Sequence, residues 1–198
     1  MPIILMLIFM IIGYLIGSIP FGILVSKLWS LDIRQRGSGN IGATNVYRNL
    51  GPLAGGLVFI LDYLKGYLAV SIGYWAGGIP IVILLTGISV ILGHMFPVFL
   101  RFKGGKGAAT GLGVLAGIAP EVFIFVVIFA LLLLYLTHYV SITSILSSLL
   151  ATGLMFFLHE PLPYSIGTAV VALFIVFFHL PNLKRLAAGS EPRLGEKQ

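Results

Sequence analysis

The chain has 198 residues, of which 59% are hydrophobic and only 9% are charged, and its formal net charge is +6. Soluble domains usually carry about 25% charged residues, so this composition excludes an ordinary water-soluble domain. The sequence contains no cysteine, which excludes disulfides and thiolate metal ligands. In a membrane protein a positive charge of this size indicates orientation or attraction to phosphate, so we expect no nucleic-acid partner.

Apolar stretches predict an all-α membrane protein with a bundle of about seven transmembrane helices, and residues 1–198 form one integral membrane domain. In chain order the predicted spans are Ile3–Lys27, Pro52–Gly77, Ile79–Leu100, Gly107–Ile118, Glu121–Leu136, Tyr139–Leu158 and Tyr164–Leu180. The fourth stretch has about 12 residues, or about 18 Å of helix. It is too short to cross alone, so we expect a re-entrant helix or a locally thinned bilayer there.

The distribution of basic residues predicts the orientation of the bundle. With seven spans, every cluster of Lys and Arg outside the helices falls on one side, which the positive-inside rule makes cytoplasmic. The N-terminus is then outside and the C-terminus cytoplasmic. The clusters follow spans one, three and seven, and comprise Lys27, Arg34, Arg36, Arg48, Arg101, Lys103, Lys106, Lys184, Arg185, Arg193 and Lys197.

Pairs of glycines four residues apart recur along the predicted spans. Small residues at this spacing let helices approach closely in lipid, so the pairs predict tight helix packing in a compact bundle. The pairs are Gly13/Gly17, Gly51/Gly55, Gly73/Gly77 and Gly113/Gly117.

The first polar segment, Gly37–Arg48, lies between the first two predicted spans. Gly37, Gly39 and Gly42 match the spacing of a dinucleotide-binding fingerprint, but the flanking segments are membrane spans and not a βαβ unit. Its glycines let backbone N–H groups converge on an anion, and Arg48 can hold a phosphate by a two-pronged contact. The segment predicts a phosphate-binding loop, with an ordinary polar loop as the alternative.

The second polar segment combines Gly93–Pro97 with Arg101–Gly107. Lys106 lies in a glycine-rich hairpin just before the fourth span, and helix N-termini attract anions. The hairpin is not a Walker loop, because Gly107 stands where Ser or Thr would bind magnesium. It predicts a second anion-binding group, with a topology signal as the alternative, and His94 is either functional or a buried packing residue.

The third polar segment, His138–Ile145, enters the sixth predicted span. Ser141 and Ser144 are three residues apart, so they share one face of that helix. Serines in helices more often bond back to their own backbone, which remains the alternative for each of them.

The fourth polar segment runs from His179 to Glu191. Pro181 is expected to close the seventh span and to leave His179 and Asn182 at the interface. Within the second span, Asp62 and Lys65 are three apart and can pair, and this pair is interpreted either as functional or as structural.

The blocks Ser38–Arg48, Gly93–Pro97 with Phe102–Gly107, and His179–Glu191 resemble the bacterial acyl-phosphate:glycerol-3-phosphate acyltransferases, and the likeness covers nearly the whole chain. The resemblance implies transfer of a fatty acyl group from acyl phosphate to the 1-hydroxyl of glycerol 3-phosphate. The products are lysophosphatidic acid and phosphate, in the first acylation step of phospholipid synthesis. It also implies an active site on the cytoplasmic face of the bacterial inner membrane.

Carried over by position, the resemblance implies a catalytic set and a substrate-binding set. The catalytic set is Lys106, Ser144, His179 and Asn182, and the substrate-binding set is Ser38, Asn40, Thr44, Asn45, Arg48, Gly104, Gly105, Gly107 and Ser141. Neither metal nor nucleotide is implied, so we expect no cofactor. The expected partners are glycerol 3-phosphate, acyl phosphate and membrane lipid. The protein itself is expected to be a monomer.

Two other classes of protein remain as alternatives. An anion or phosphate transporter would place its binding groups near the bilayer midplane, whereas here the polar segments lie at one interface. The other is another phospholipid enzyme, such as a lipid-phosphate phosphatase or an alcohol phosphotransferase. The phosphotransferase would want an aspartate cluster for magnesium, and Asp32 and Asp62 are the only aspartates. The general base is likewise open between His179 and a phosphate oxygen of the substrate.

Overall fold

The computed structural model describes residues 3–75 and 77–196, and this part of the chain forms ten α-helices with two short 3-10 turns, Ile33–Gln35 and Val98–Leu100. The helices pack into one bundle. Their bounds are α1 Ile3–Ser18, α2 Phe21–Leu28, α3 Ala43–Leu50, α4 Pro52–Trp75, α5 Pro80–Met95, α6 Ala108–Ile118, α7 Pro120–Thr137, α8 Val140–Phe157, α9 Leu162–Phe178 and α10 Leu180–Ala187.

Five helical stretches in the described residues are long and apolar enough to cross a membrane. They are 3–28, 52–75, 80–100, 120–137 and 140–157, and the pair α9–α10, bent by 50°, would make a sixth. α6 has 11 residues and corresponds to the short fourth stretch. The all-helical membrane class is therefore confirmed, while the count of seven spans stays a prediction.

Three predicted boundaries differ from the structure. The first span is not one helix, because α1 ends at Ser18 and α2 begins after Pro20, which has no N–H to continue the helical ladder. Only the first half of the polar segment Gly37–Arg48 is a loop, because α3 begins at Ala43. Pro181 does not end helical structure either. It lies in the first turn of α10, where proline is tolerated, and the break falls at His179.

The largest helix contacts are those of α1 with α5 and of α4 with α6, and half of the paired glycines lie in them. A β-carbon built on Gly13 would lie 2.7 Å from the Thr86 carbonyl oxygen, and one on Gly113 would lie 2.9 Å from the Tyr63 carbonyl carbon. Gly51 is different, because it ends α3 at a φ of 88° with no neighbour within 4 Å of the built β-carbon. Close packing is thus confirmed at Gly13, Gly17, Gly55, Gly73, Gly113 and Gly117, and it is wrong at Gly51 and Gly77.

The outer surface of the bundle carries large apolar side chains that a soluble protein would bury. Leu131 on α7 is 63% exposed and Phe177 on α9 is 65% exposed. Contiguous apolar surface of this kind suits hydrocarbon and not water.

Candidate active site

A cavity of about 540 Å³ is lined by residues of α3 to α10 and of the loops that join them, and it has a polar end and an apolar end. Except for Gly104 and Gly105, every residue that the sequence assigned to the site lines it. These are Ser38, Asn40, Thr44, Asn45, Arg48, Lys106, Gly107, Ser141, Ser144, His179 and Asn182. The four polar segments therefore meet at one end of the bundle, as their sequence positions predicted.

The loop before α3 is organised by the side chain of Asn45, which is buried. Its Oδ1 accepts from the N–H of Ser38 at 3.1 Å. Its Nδ2 donates to three carbonyl oxygens, of Ile33 at 3.3 Å, Arg36 at 3.1 Å and Asn40 at 2.8 Å. These bonds occupy the amide, so Asn45 shapes the loop that carries Ser38 and Asn40.

Arg48 lies on α3 and is 8% exposed. Its Nη2 donates to the carbonyl oxygen of Pro192 at 2.6 Å, while its Nε is buried without a hydrogen-bond partner within the described ranges. Burial lowers the pKa of this guanidinium, yet arginine remains charged in proteins. The guanidinium is therefore anchored to the chain through Nη2, its Nε is left without a partner, and the residue lines the cavity.

The hairpin between α5 and α6 delivers Lys106 to the polar end. Its backbone is bound to the end of α5, because the N–H of Gly104 donates to Met95 O at 3.1 Å and that of Gly105 donates to His94 O at 3.0 Å. Gly104 and Gly105 accordingly pack behind the cavity wall. The ammonium of Lys106 donates to Oδ1 of Asn182 on α10.

The carboxylate of Glu191 lies at the centre of the polar end, and sequence reasoning left it out of the site. It accepts hydrogen bonds from Nδ2 of Asn182 at 2.7 Å, Nε of Arg185 at 2.8 Å and Oγ of Ser141 at 3.1 Å. The expectation that Ser141 bonds back to its own helix is wrong for this reason. A buried carboxylate with three donors is a stable anionic anchor for the surrounding cations.

The residues that follow Glu191 continue across the site. Leu194 donates its N–H to His138 O at 2.7 Å, and Pro192 accepts from Arg48. The segment 190–194 thus joins α3, α10 and the start of α8.

His179 stands at the break between α9 and α10 and is 4% exposed. Its Nδ1 lies 2.7 Å from the carbonyl oxygen of Ile175 and donates to it, since a carbonyl can only accept. The ring proton is therefore on Nδ1, and Nε2 is left as an acceptor.

Burial lowers the pKa of Lys106 to about 8, and the nearby Arg185 and Arg48 act in the same direction while Glu191 opposes them. Desolvation disfavours the ammonium because it removes water from the charge. A bound anion would supply the missing counter-charge, so this lysine is suited to hold one.

The apolar end of the cavity extends the site away from these polar groups. It is walled by aliphatic and aromatic side chains of five helices, which gives a slot for a hydrocarbon chain. Among them are Leu84, Ile88, Leu112, Leu115, Ile118, Phe123, Val126, Ala151, Val171 and Ile175. None of these was assigned from sequence, because an apolar wall residue looks like any other residue of a membrane span.

Within residues 3–75 and 77–196, no group of three or more His, Asp or Glu is placed to hold a metal ion. The donors at the polar end are instead cations, amides and hydroxyls. Such donors bind oxyanions directly.

A sequence model of the family described as glycerol-3-phosphate acyltransferase matches residues 7–189. The chain is 41% identical over 189 residues to glycerol-3-phosphate acyltransferase 2 of Moorella thermoacetica, covering 95% of this chain and 97% of the relative. It is 43% identical over 185 residues to the glycerol-3-phosphate acyltransferase of Bacillus subtilis, covering 93% and 95%.

Two solved structures of PlsY (YgiH), an integral membrane glycerol 3-phosphate acyltransferase, share the fold. The glycerol 3-phosphate form superimposes with a TM-score of 0.92 at 42% identity, covering 96% of each chain. The lysophosphatidic acid form gives a TM-score of 0.90 at 41% identity, covering 96% of this chain and 95% of that one.

Proposed function

Because the chain belongs to the glycerol-3-phosphate acyltransferase family, we propose that it transfers a fatty acyl group from acyl phosphate to the 1-hydroxyl of glycerol 3-phosphate. The observation that carries this proposal is the shape of the cavity, with phosphate-binding groups at one end and a hydrocarbon slot at the other. An anion transporter accounts for neither this arrangement nor the family, and another phospholipid enzyme does not account for the family.

The polar end holds the phosphate groups of both substrates. The guanidinium of Arg48 and the ammonium of Lys106 supply positive charge, and Ser38, Thr44 and Ser144 supply neutral donors. The side-chain amide of Asn182 bridges Glu191 and Lys106, because its Nδ2 donates to the carboxylate and its Oδ1 accepts from the ammonium. This bridge keeps the ammonium in place. Mixed charged and neutral donors of this kind recognise phosphate without a metal.

The reaction is a single acyl transfer. The 1-hydroxyl oxygen of glycerol 3-phosphate bonds to the acyl carbonyl carbon, and the bond from that carbon to the bridging phosphate oxygen breaks. The hydroxyl proton passes to a phosphate oxygen, so phosphate leaves protonated. No atom is oxidised or reduced. Lys106 stabilises the charge on the leaving phosphate. The Nε2 of His179 accepts a hydrogen bond from a glycerol hydroxyl and positions it.

We place the polar end at the cytoplasmic face of the bacterial inner membrane, with seven spans, the N-terminus outside and the C-terminus inside. The positive-inside rule and the meeting of four polar segments at one end, three of which carry Lys or Arg, support this orientation. The acyl chain of the donor then lies in lipid beside the apolar slot, and glycerol 3-phosphate enters from the cytosol. One chain supplies all the groups named, so we propose a monomer without a cofactor.

The test is an assay of phosphate release from acyl phosphate by the purified protein. Release should depend on glycerol 3-phosphate, should match lysophosphatidic acid formed mole for mole, and should persist in EDTA. Release without glycerol 3-phosphate would indicate a phosphatase, and a requirement for magnesium would contradict metal-free catalysis.

A further inference from the structure

Three ionisable side chains are buried together where the middle of α4 meets the C-terminal end of α5. Asp62, Lys65 and His94 are 2%, 4% and 5% exposed, and the sequence left open whether they are functional or structural. Lys65 lies in a spanning helix, where an ionisable residue is costly to bury.

The ammonium of Lys65 forms an ion pair with Asp62 and hydrogen bonds to His94 and to the backbone of Ile19. Its Nζ lies 2.7 Å from Asp62 Oδ1, 2.9 Å from His94 Nδ1 and 3.2 Å from the carbonyl oxygen of Ile19, at the break between α1 and α2. An ammonium only donates, so Nδ1 of His94 accepts and the ring proton is on Nε2. The Asp62–Lys65 pair therefore fixes the tautomer and the orientation of the imidazole.

The other edge of the His94 ring faces the glycine hairpin. A β-carbon built on Gly105 would overlap the ring, because Nε2, Cε1 at 2.8 Å and Cδ2 at 3.1 Å are its three nearest atoms. Gly105 has no left-handed φ, so the ring, and not the backbone conformation, is what excludes a side chain there. The next residue along the hairpin is Lys106.

We propose that His94, held by the buried Asp62–Lys65 pair, is a positioning residue that sets the hairpin so that Lys106 reaches the substrate phosphate. A buried ion pair contributes little net stability compared with apolar residues of similar volume, so its use here is geometric. His94 acts through Gly105 and Lys106, and it deepens the proposed function without being a catalytic residue.

A size-complementation cycle tests this contact. Gly105→Ala alone pushes the hairpin off the ring and should raise the KM for glycerol 3-phosphate at least about tenfold, the equivalent of ~1.4 kcal/mol. His94→Asn keeps an acceptor for Lys65 but lacks the atoms at Cε1 and Nε2, so it makes room for the methyl group. The double variant should therefore have a lower KM than Gly105→Ala alone, a non-additive result expected of residues in contact.

The readouts separate positioning from general stability. The KM and kcat are measured together with inhibition by inorganic phosphate, a probe of the anion pocket, and with the thermal unfolding midpoint in detergent. Gly56→Ala is the matched control, because a β-carbon there meets nothing within 4 Å. Its KM and unfolding midpoint should match wild type.

The support from the ion pair is tested by Asp62→Asn/Lys65→Met, which removes both charges and leaves no lone buried ion. This variant should raise the KM and weaken phosphate inhibition even where its unfolding midpoint equals that of wild type. A wild-type KM in this variant, or a double Gly105→Ala/His94→Asn variant no better than Gly105→Ala, overturns the proposal. If acyl transfer itself proves absent in wild type, the proposed function fails first and the two outcomes are distinguishable.

Discussion

The carboxylate of Glu191 accepts a hydrogen bond of 2.7 Å from the side-chain amide of Asn182. This contact decides which end of the amide faces the cavity, because Nδ2 must point to the carboxylate and Oδ1 is then free to accept from Lys106. Asn182 is thus held between an anion and a cation, in an orientation that no flip of the amide could reproduce.

Replacing Asn182 by Asp should therefore be strongly damaging. Asn182→Asp sets two carboxylates against each other, and we expect kcat/KM at neutral pH to fall at least about 100-fold, or ~2.7 kcal/mol. Activity should partly return on acidification, where the two carboxylates share a proton. Steady-state kinetics across pH, with Asn182→Ala as the uncharged comparison, measure this. Wild-type kinetics in Asn182→Asp would contradict the arrangement.

Arg48→Lys should weaken phosphate binding. Lysine cannot both bond to Pro192 O, as Nη2 does, and present a second donor in the plane of Nε. We expect the KM for glycerol 3-phosphate to rise about tenfold or more. Arg36→Lys, at an exposed position beside the same loop, is the matched control and should be close to wild type.

The pH dependence should report Lys106, whose pKa is lowered to about 8 by burial. The ammonium is charged below this pH and neutral above it, so kcat/KM should fall as the pH rises through about 8. A bound phosphate favours the charged form, so the corresponding limb of kcat should lie at higher pH. Lys106→Arg should move the alkaline limb beyond the measured range, because guanidinium stays charged. An unmoved limb would assign it to another group.

His179→Gln should retain more activity than His179→Ala. Nδ1 is committed to Ile175 O, so the atom facing substrate is Nε2, and the glutamine side chain can place an oxygen acceptor near that point without acting as a base. We expect at least about a tenfold difference in kcat/KM between the two variants. Equal loss in both, together with an acidic limb that is absent from the variants, would assign general-base catalysis to His179.

Cysteine labelling in whole cells tests the orientation, since the chain has no cysteine of its own. Lys103→Cys, at an exposed position of the hairpin before Lys106, should resist an impermeant reagent added outside. Glu160→Cys, in the turn between α8 and α9 at the opposite end, should react. The reverse pattern would overturn the N-outside topology.

Residue chemistry, together with the family resemblance, located most of the polar end. Four polar residues of the site lie at the ends of apolar stretches, so their positions could be predicted from the sequence. They are Arg48, Lys106, His179 and Asn182. The short α6 helix was also predictable from the length of its apolar stretch, which is too short to cross a membrane unaided.

Other features depend on contacts that a sequence does not display. Glu191 lies in an irregular segment, and nothing in its neighbours indicates that it returns to meet Ser141, fifty positions earlier. The hydrogen bond between Lys65 and His94 joins two helices, and the two residues are 29 positions apart in the sequence. They meet only because α4 packs against α5. Pattern and period report local structure, whereas these contacts are set by the tertiary arrangement.

The path of segment 190–194 has a consequence for the order of events in the cell. During synthesis the spanning helices enter the membrane one after another, and the loop of Arg48 and the hairpin of Lys106 are made long before Glu191 leaves the ribosome. Until that carboxylate arrives, Asn182 lacks its acceptor and Arg48 lacks the Pro192 carbonyl. On the proposed function, a nascent chain that has inserted every helix still lacks these contacts, and we expect acyl transfer to begin only after the segment has docked.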